Sequence, residues 1–278
     1  MPRRGELKGL GERPLIMGIL NVTPDSFSDG GQFCDIEKAI EHALNMAQAG
    51  ADIIDIGGES SRPGSEGINV QEELDRVMPI LEPLCRETEL FISIDTIKPE
   101  VAEKALEAGA GMINDISALR NDDRLARLAS QYDAYLTLMH MRGKPRDMQN
   151  NTEYLDLIGE ISSFLKEGIE KAISAGVARE RIIIDPGIGF GKSVDGNFAL
   201  LKNLHLFLEL GCPVLIGASR KSFLGKTLDL EVGERLEASL AVACYAVLNG
   251  ADIVRVHDVL ETRRVLTIIE RISEAQPA

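Results

Sequence analysis

Polar and charged residues stand directly behind short apolar runs at many places in this sequence. They include carboxylates, amides, cations and imidazoles. Such a combination can hydrogen-bond to a polar ligand, bind an anion and transfer protons. The set comprises Asn21, Glu59, Ser61, Arg62, Asp95, Asn114, Asp115, His140, Asp185, Lys221, Ser222, Arg255 and His257. Singly, some have simpler explanations, since Asp95 and Asp115 could begin helices and Asp185 precedes the turn-forming pair Pro186-Gly187. Together they predict an active site where the ends of these runs converge.

The apolar runs are predicted to be strands that alternate with helices. They are apolar on both faces, which is typical of parallel strands buried on both sides. Each is followed by a stretch with apolar residues spaced three and four apart, and glycines such as Gly50 and Gly250 fit helix ends. The predicted strands cover residues 15–20, 53–56, 91–94, 112–113, 134–139, 182–184, 214–216 and 253–256.

Strict alternation of strand and helix implies a parallel sheet, and eight units favour a closed barrel over an open doubly wound sheet. The chain has 278 residues, close to the roughly 250 that such a barrel needs. We therefore predict one α/β domain over residues 1–278, a (β/α)8 TIM barrel with its active site at the C-terminal ends of the strands. Residues 1–12 are expected to be a loose lead-in or a hairpin that plugs the barrel bottom.

Composition narrows the possible partners. The formal net charge of -14 argues against nucleic acid and anionic membranes, although a local group of cations could still hold a small anion. No apolar stretch predicts a membrane span or a secretory signal. The four cysteines are scattered without metal-binding spacing, which indicates free thiols in a reducing cytoplasm. A cytoplasmic enzyme with small-molecule substrates is the expectation.

Two polar loops are unusual. Residues 185–193 (DPGIGFGKS) resemble a phosphate loop but fit neither the P-loop spacing nor GxGxxG, so they predict a backbone-permissive loop and no nucleotide site. Residues 21–31 (NVTPDSFSDGG) are long and polar with one aromatic residue, which is typical of a mobile lid.

These motifs resemble those of the dihydropteroate synthase family. MGILNVTPDSFSDGG, GGESSRPGS, SIDT, INDI, MHMRG, DPGIGFGKS, SRKSF and RVHDV follow the family's order from Met17 to His257. Two departures are visible: Ser61 stands where the family usually has Thr, and Arg142 where many members have Gln. The resemblance implies condensation of 6-hydroxymethyl-7,8-dihydropterin diphosphate with p-aminobenzoate in folate synthesis. It also implies Mg²⁺ and a homodimer.

The resemblance further assigns roles to residues. Asp95, Asn114, Asp185 and Lys221 would read the pterin edge, with Met139 and Phe190 packed near the ring. Arg255, His257 and Arg62 would hold the diphosphate, and Asn21 would ligate Mg²⁺. The p-aminobenzoate pocket would consist of Phe27, Ser61, Pro63 and Ser222. The expected step is SN1-like, with loss of pyrophosphate before the amine attacks.

Three alternatives share parts of this pattern. A pterin-binding methyltransferase barrel would use the same pterin floor, although NVTPDSFSDGG and SRKS argue against it. A Schiff-base aldolase would use Lys221 as its nucleophile. A non-catalytic pterin-binding homologue would not need Asn21, Arg255 and His257 as a diphosphate seat.

Overall fold

The structure, a computed structural model, describes residues 6–23, 32–62 and 64–276, and of residues 32–35 only the backbone. The first half contains β1 (Leu15–Asn21), α1 (Gln32–Gln48), β2 (Ile53–Gly57), α2 (Val70–Glu87), β3 (Phe91–Asp95), α3 (Pro99–Ala108), β4 (Met112–Asp115) and α4 (Arg124–Gln131). The second half contains β5 (Tyr135–Met139), α5 (Leu157–Ser174), β6 (Ile182–Asp185), α6 (Val194–Lys202), β7 (Leu215–Ile216), α7 (Ser222–Leu228), α8 (Leu236–Leu248), β8 (Ile253–Val256) and α9 (Val259–Glu274). The predicted strands coincide with these to within two residues at each end.

The strands close into a barrel. Within the described residues, eight strands form one parallel sheet in the order β6-β5-β4-β3-β2-β1-β8-β7. The two outer strands meet at the bridge between Ile184 and Val214, where the Ile184 amide donates to the Pro213 carbonyl at 2.9 Å. The predicted (β/α)8 barrel is thereby confirmed.

The base of the barrel is filled by apolar side chains that point inward. They form one buried cluster: Leu7, Leu15, Met17, Ile53, Met112, Tyr135, Ile183, Leu215 and Ile253. Leu7 belongs to the lead-in, and its amide donates to the Tyr135 hydroxyl at 3.2 Å. The described part of the lead-in therefore packs against the barrel bottom and is not loose.

Along each strand, every second side chain points into the barrel, from the base to the mouth. On β2, Ile53 belongs to the base cluster, while Ile54 and Ile56 pack in the outer layer between strands and helices. Side chains two residues apart share a face, so Asp55 and Gly57 also point inward, above Ile53. On β8, the same rule places Arg255 above Ile253.

The base also carries its own charged group. Asp52, just before β2, pairs with Arg13 at 2.5 Å and with Arg263 at 2.6 Å.

No helix among the described residues is long and apolar enough to cross a bilayer.

Candidate active site

Polar side chains from four strands meet inside the barrel mouth around Arg255. Its Nε donates to Asp55 Oδ2 at 2.7 Å, and its Nη2 donates to Asp95 Oδ2 at 2.8 Å. Asn114 Nδ2 donates to the same oxygen of Asp55 at 3.0 Å. Asp95 and Asn114 are neighbours because the parallel register of β3 and β4 pairs them directly. One cation is thus shared by two carboxylates in the barrel interior.

Asp55 was missed by the sequence analysis. It is fully buried, and its Oδ1 has no hydrogen-bond partner among the described residues. The available signal was the alternation of IIDIG on β2, which sets an inward carboxylate two residues beyond an inward isoleucine. Asp55 lies within its strand, whereas the predicted site residues stand at or after strand ends.

Asp95 is largely buried and electrostatically strained. Burial raises the pKa of its carboxyl to about 7; the Arg255 guanidinium opposes the rise and the negative charge of Asp55 adds to it. Near neutral pH, Asp95 therefore exchanges between an acid that can donate and a carboxylate that only accepts.

Lys221 and Asp185 lie on the other side of the mouth. Lys221 Nζ donates to the Ile188 carbonyl and lies 4.3 Å from the ring centroid of Phe190. Burial lowers the pKa of Lys221 to about 7, opposed by the carboxylate of Asp185. Burial also raises the pKa of Asp185, whose Oδ1 accepts from the Gly187 amide at 2.6 Å. Lys221 and Asp185 are thus both buried, and the attraction between their opposite charges offsets only part of the cost of removing them from water.

Apolar side chains form a wall next to these polar groups. Met139, at the end of β5, is buried with Met141 and Met148, and Ile116 and Phe190 pack against them. An aromatic or heteroaromatic ring could lie along such a wall while its polar edge meets the carboxylates.

His257 follows β8 and contacts the loop after β7. Its Nδ1 lies 3.1 Å from Ser219 Oγ, and its amide donates to the same oxygen at 3.2 Å. Burial lowers the pKa of His257 to about 4, and the positive charges of Arg255, Arg220 and Arg62 contribute. The imidazole is therefore neutral near pH 7 and can donate one hydrogen bond to an anion without adding charge.

Asn21 ends β1 beside Gly57, to which it is paired. A Cβ built on Gly57 would stand 3.8 Å from Asn21 Oδ1 and 3.7 Å from Asp95 Oδ2. The missing side chain of Gly57 thus leaves a space that oxygen atoms from two strands face. Among the described residues, no group of three or more His, Cys, Asp or Glu could hold a metal ion.

The loop after β2 carries the half-buried Ser61 and the exposed Arg62. Its root is fixed by Lys98, which pairs with Glu59 and with the buried Glu73. Its tip is tied to the loop after β5, because the Gly64 amide donates to the Pro145 carbonyl at 3.1 Å.

The two loops flank a cavity of about 780 Å³ whose lining includes Ser61, Asp95, Ile116 and Met141. The cavity therefore opens between the loop that carries Ser61 and the interior group around Asp95.

The remaining predicted site residues are less well joined. Ser222 is exposed at the first position of α7, next to Lys221. Ser61 follows β2, and two strands, β1 and β8, lie between β2 and the strand β7 that precedes Ser222. Phe27 and Pro63 lie outside the described residues, as does the predicted lid from residue 24 onward.

Arg142 does not add a free charge to the mouth. Its guanidinium stacks 3.6 Å from the Tyr154 ring centroid and pairs with Glu160 at 2.5 Å. Tyr154 in turn donates to the Gly191 carbonyl at 2.9 Å. Arg142 thus braces the loop after β5 against the loop after β6.

Asp115 does not begin a helix, because α4 starts only at Arg124, but its role is structural. It is buried and accepts from the Ser117 amide at 2.7 Å and the Leu119 amide at 2.6 Å. It organises the turn after β4 and was not among the predicted ligands of the substrate.

Comparisons with known proteins agree with this geometry. A family model described as pterin binding enzyme matches residues 17–257. A dihydropteroate synthase from Synechocystis is 48% identical over 263 residues, covering 94% of this chain and 91% of the relative.

Two solved structures of the Xanthomonas albilineans dihydropteroate synthase are also similar. The complex with 4-aminobenzoic acid has a TM-score of 0.89 and 43% identity, covering 96% of this chain and 98% of the other. The complex with 7,8-dihydropteroate has a TM-score of 0.86 and 41% identity, covering 99% of this chain and 98% of the other.

Proposed function

The chain belongs to the dihydropteroate synthase family, and on that premise we propose how its barrel mouth condenses 6-hydroxymethyl-7,8-dihydropterin diphosphate with p-aminobenzoate. The products are 7,8-dihydropteroate and pyrophosphate. The observation that carries the assignment to this mouth is the junction of a polar interior group with an apolar wall. Arg255, Asp55 and Asp95 form the first, and Met139 and Phe190 belong to the second.

The pterin edge is proposed to hydrogen-bond to Asp95, Asn114, Asp185 and Lys221, with both aspartates ionised and the lysine protonated. An aminopyrimidinone presents N–H donors beside a carbonyl acceptor, so it needs acceptors and a donor side by side. Asp95 and Asp185 accept, Asn114 can do both, and Lys221 donates. Because these groups are largely withdrawn from water, a ligand without the matching edge would leave them unpaired and bind weakly.

Arg255 can hold the diphosphate without leaving its carboxylates. A guanidinium has five N–H donors, and the contacts with Asp55 and Asp95 occupy two of them. The remaining donors are available to phosphate oxygens, in the bidentate geometry that arginine favours. His257 adds a neutral donor, and Arg62 approaches from the loop after β2.

Mg²⁺ is proposed to bind at Asn21. The oxygens of Asn21 and Asp95 that face the space above Gly57 suit a hard cation, which takes few protein ligands and keeps several waters. When bound, Mg²⁺ would neutralise charge on the diphosphate. Asn21 would hold and orient the ion through its amide oxygen.

The bond between the pterin CH₂ and the diphosphate oxygen is proposed to break first, and its electron pair leaves with pyrophosphate. The electron-rich ring delocalises the resulting cation, and ionised Asp95 and Asp185 stabilise it electrostatically. The amine of p-aminobenzoate then donates its electron pair to the CH₂ and releases a proton to solvent. No protein nucleophile is needed for either half of this sequence.

The second substrate is proposed to bind between Ser61, on the loop after β2, and Ser222, at the start of α7. Ser222 would hold the carboxylate with its hydroxyl and the adjacent amides, while Phe27 and Pro63 would cover the ring. This arrangement keeps water away from the cation while the amine enters.

The direct test is a coupled pyrophosphate-release assay with the pterin diphosphate and p-aminobenzoate, with and without Mg²⁺. Pyrophosphate release that depends on both the amine and the metal is expected; its absence would overturn the assignment. Transfer of a methyl group from methyltetrahydrofolate to a corrinoid would instead indicate the methyltransferase alternative.

The order of bond breaking has its own test. A pterin diphosphate labelled with ¹⁸O at the bridging position is incubated with enzyme and Mg²⁺ but without p-aminobenzoate. A dissociative step allows the bridging label to exchange with non-bridging oxygens before the bond re-forms. If the label stays at the bridging position during an incubation much longer than one catalytic turnover, concerted displacement is favoured.

A homodimer is the proposed assembly, and the cytoplasm the proposed location. Large apolar side chains are exposed on the adjacent helices α8 and α9, among them Tyr245, Leu248, Ile268 and Ile272. Such a surface suits a second copy of the chain better than water. Light scattering should give twice the chain mass, and Leu248→Glu should shift the equilibrium toward monomer.

A further inference from the structure

The loop between β6 and α6 contains a lysine to which the proposed mechanism gives no task. Lys192 closes the sequence DPGIGFGK, which resembles a phosphate loop but does not fit its spacing. Only 3% of Lys192 is exposed. A buried ammonium is costly unless its hydrogen bonds are satisfied, so its contacts must explain its presence.

Lys192 meets three acceptors. Its Nζ lies 2.8 Å from the Phe190 carbonyl, 2.9 Å from His140 Nδ1 and 3.4 Å from the His140 carbonyl. Burial lowers the pKa of Lys192, and the negative charge of Asp185 opposes this. The three acceptors favour the protonated form, because they can take all three of its N–H groups. Burial and the positive charge of Lys192 lower the pKa of His140 to about 2, so its ring is neutral. A neutral ring that accepts at Nδ1 from Lys192 carries its proton on Nε2.

These contacts fix the loop against the end of β5. The His140 amide donates to the Asp185 carbonyl at 2.9 Å, which continues the pairing of β5 with β6. Gly187 packs so closely that a Cβ there would stand 1.9 Å from the His140 carbonyl oxygen. Gly187, Gly189 and Gly191 all have positive φ, so the loop turns sharply between Gly187 and Lys192. Its Gly189 and Gly191 are also held by hydrogen bonds with side chains outside the loop, those of Asn197, Gln149 and Tyr154.

The other face of the same loop forms part of the pterin pocket. The Ile188 carbonyl accepts from Lys221, and the Phe190 ring lies against the same ammonium. A Cβ on Gly189 would stand 2.7 Å from Lys221 Cδ. Lys192 and Lys221 thus hydrogen-bond to the same short loop from opposite sides, Lys192 from the protein interior and Lys221 from the substrate pocket.

We propose that Lys192, together with His140, is a positioning residue that holds the Ile188–Phe190 segment where Lys221 and the pterin ring need it. The proposal deepens the proposed function, on whose pterin pocket it rests. It also explains a sequence pattern with the appearance of a phosphate loop: the lysine is turned inward and binds carbonyl oxygens of its own loop and of β5.

The test compares Lys192→Met with the parent enzyme and with Lys202→Met, a control on the exposed face of α6. Equilibrium affinity for 6-hydroxymethylpterin is measured by quenching of its fluorescence, and KM for p-aminobenzoate is measured in the pyrophosphate assay. We expect the pterin Kd to rise roughly tenfold or more in Lys192→Met, because displacement of a supporting group by about 1 Å can cost up to a hundredfold. KM for p-aminobenzoate should stay within about twofold, and Lys202→Met should match the parent.

A double-mutant cycle separates positioning from a general loss of stability. If Lys192 acts through Phe190, then Phe190→Leu raises the pterin Kd and Lys192→Met adds little to it in the double variant. Fully additive effects, an unchanged pterin Kd or an equal rise in both substrates' constants would overturn the proposal.

His140 gives an independent arm if Lys192→Met does not fold. His140→Asn keeps an acceptor near the Nδ1 position, whereas His140→Leu removes it, so only the leucine variant should raise the pterin Kd. Equal values for the two variants would also overturn the proposal. Parent enzyme that binds 6-hydroxymethylpterin but releases no pyrophosphate would instead contradict the proposed function alone.

Discussion

Asp55→Asn isolates the role of the buried carboxylate that anchors Arg255. The parent residue accepts two hydrogen bonds at one oxygen, from Arg255 at 2.7 Å and from Asn114 at 3.0 Å. Asparagine can place its amide oxygen at the position of Oδ2 and keep both hydrogen bonds, with its NH₂ group at the position of Oδ1, which has no partner among the described residues. The oxygen that accepts these bonds is then uncharged, and Arg255 keeps only Asp95 as a counter-charge.

The cost follows from the loss of the acceptor's charge. A hydrogen bond to a charged group contributes about 1.5–3 kcal/mol and one between neutral groups about 0.5–1.5 kcal/mol, and the buried, less compensated arginine adds to the difference. We expect the free energy of unfolding to fall by about 2–3 kcal/mol, which for a chain of this size is a fall in Tm of roughly 5–10 °C. Thermal and urea unfolding of parent and variant measure it.

The same substitution should change how pterin affinity depends on pH. Ionised Asp95 accepts from the pterin edge, so affinity rises with pH through the pKa of Asp95, which is about 7 in the parent. The negative charge of Asp55 raises that pKa, so its removal lowers the pKa and moves the midpoint to lower pH. Fluorescence titration with 6-hydroxymethylpterin between pH 5 and pH 9 follows the midpoint.

Asp52→Asn is the matched control, because Asp52 lies three positions earlier and also pairs with two arginines, Arg13 and Arg263, at the opposite end of the barrel. It should lower stability without moving the pH midpoint of pterin affinity. If Asp55→Asn leaves the midpoint where the parent has it, Asp55 and Asp95 are not electrostatically coupled and the argument is refuted.

Other substitutions test neighbouring parts of the site. Burial brings the pKa of Lys221 to about 7, so kcat/KM for the pterin diphosphate should fall above that pH; Lys221→Arg should lower the maximum and abolish this alkaline fall, because arginine stays charged. Asp95 has a pKa raised from 3.8 to about 7, so its contribution to stability is present below 3.8 and is lost as the pH rises to 7. As the pH rises through this window, the free energy of unfolding of the parent should therefore fall by up to about 4 kcal/mol relative to that of Asp95→Asn. A difference between the two proteins that does not change with pH would contradict this linkage. Gly187→Ala sets a Cβ 1.9 Å from the His140 carbonyl at a φ of +73° and should cost about 3 kcal/mol. Gly64→Ala, also at positive φ but with open space around it, should cost only about 1–2 kcal/mol in calorimetry.

The barrel was predictable because its signal is local and repeated. Each buried strand is a short, mostly apolar run, and a polar residue stands in or soon after most of them. The period of two along the strand determines which side chains point inward. The sequence therefore predicted the convergence of Asp95, Asn114, Asp185 and Arg255. It could equally have predicted Asp55, which alternates with isoleucines on β2 in the same way.

Contacts made by long side chains were not predictable in this way. Arg142 and Lys192 both belong to motifs near the mouth, but the sequence does not show which groups their side chains reach. Arg142 contacts Tyr154 and Glu160, and Lys192 contacts His140, which follows β5. The direction of a flexible cation depends on acceptors far along the chain, which no local period encodes.

The charged groups at the two ends of β2 differ, and the difference explains why the active site lies at the mouth and not at the base. At the base, Asp52 meets two arginines that are partly exposed to water, so its charge is compensated within the protein. At the mouth, Asp55 and Asp95 share one arginine, and an oxygen of Asp55 has no partner among the described residues. Such a site carries a desolvation cost that the folded chain alone does not offset. A ligand that brings N–H donors to the carboxylates and negative oxygens to the free guanidinium donors would offset it, so the same deficit that weakens the fold strengthens substrate binding.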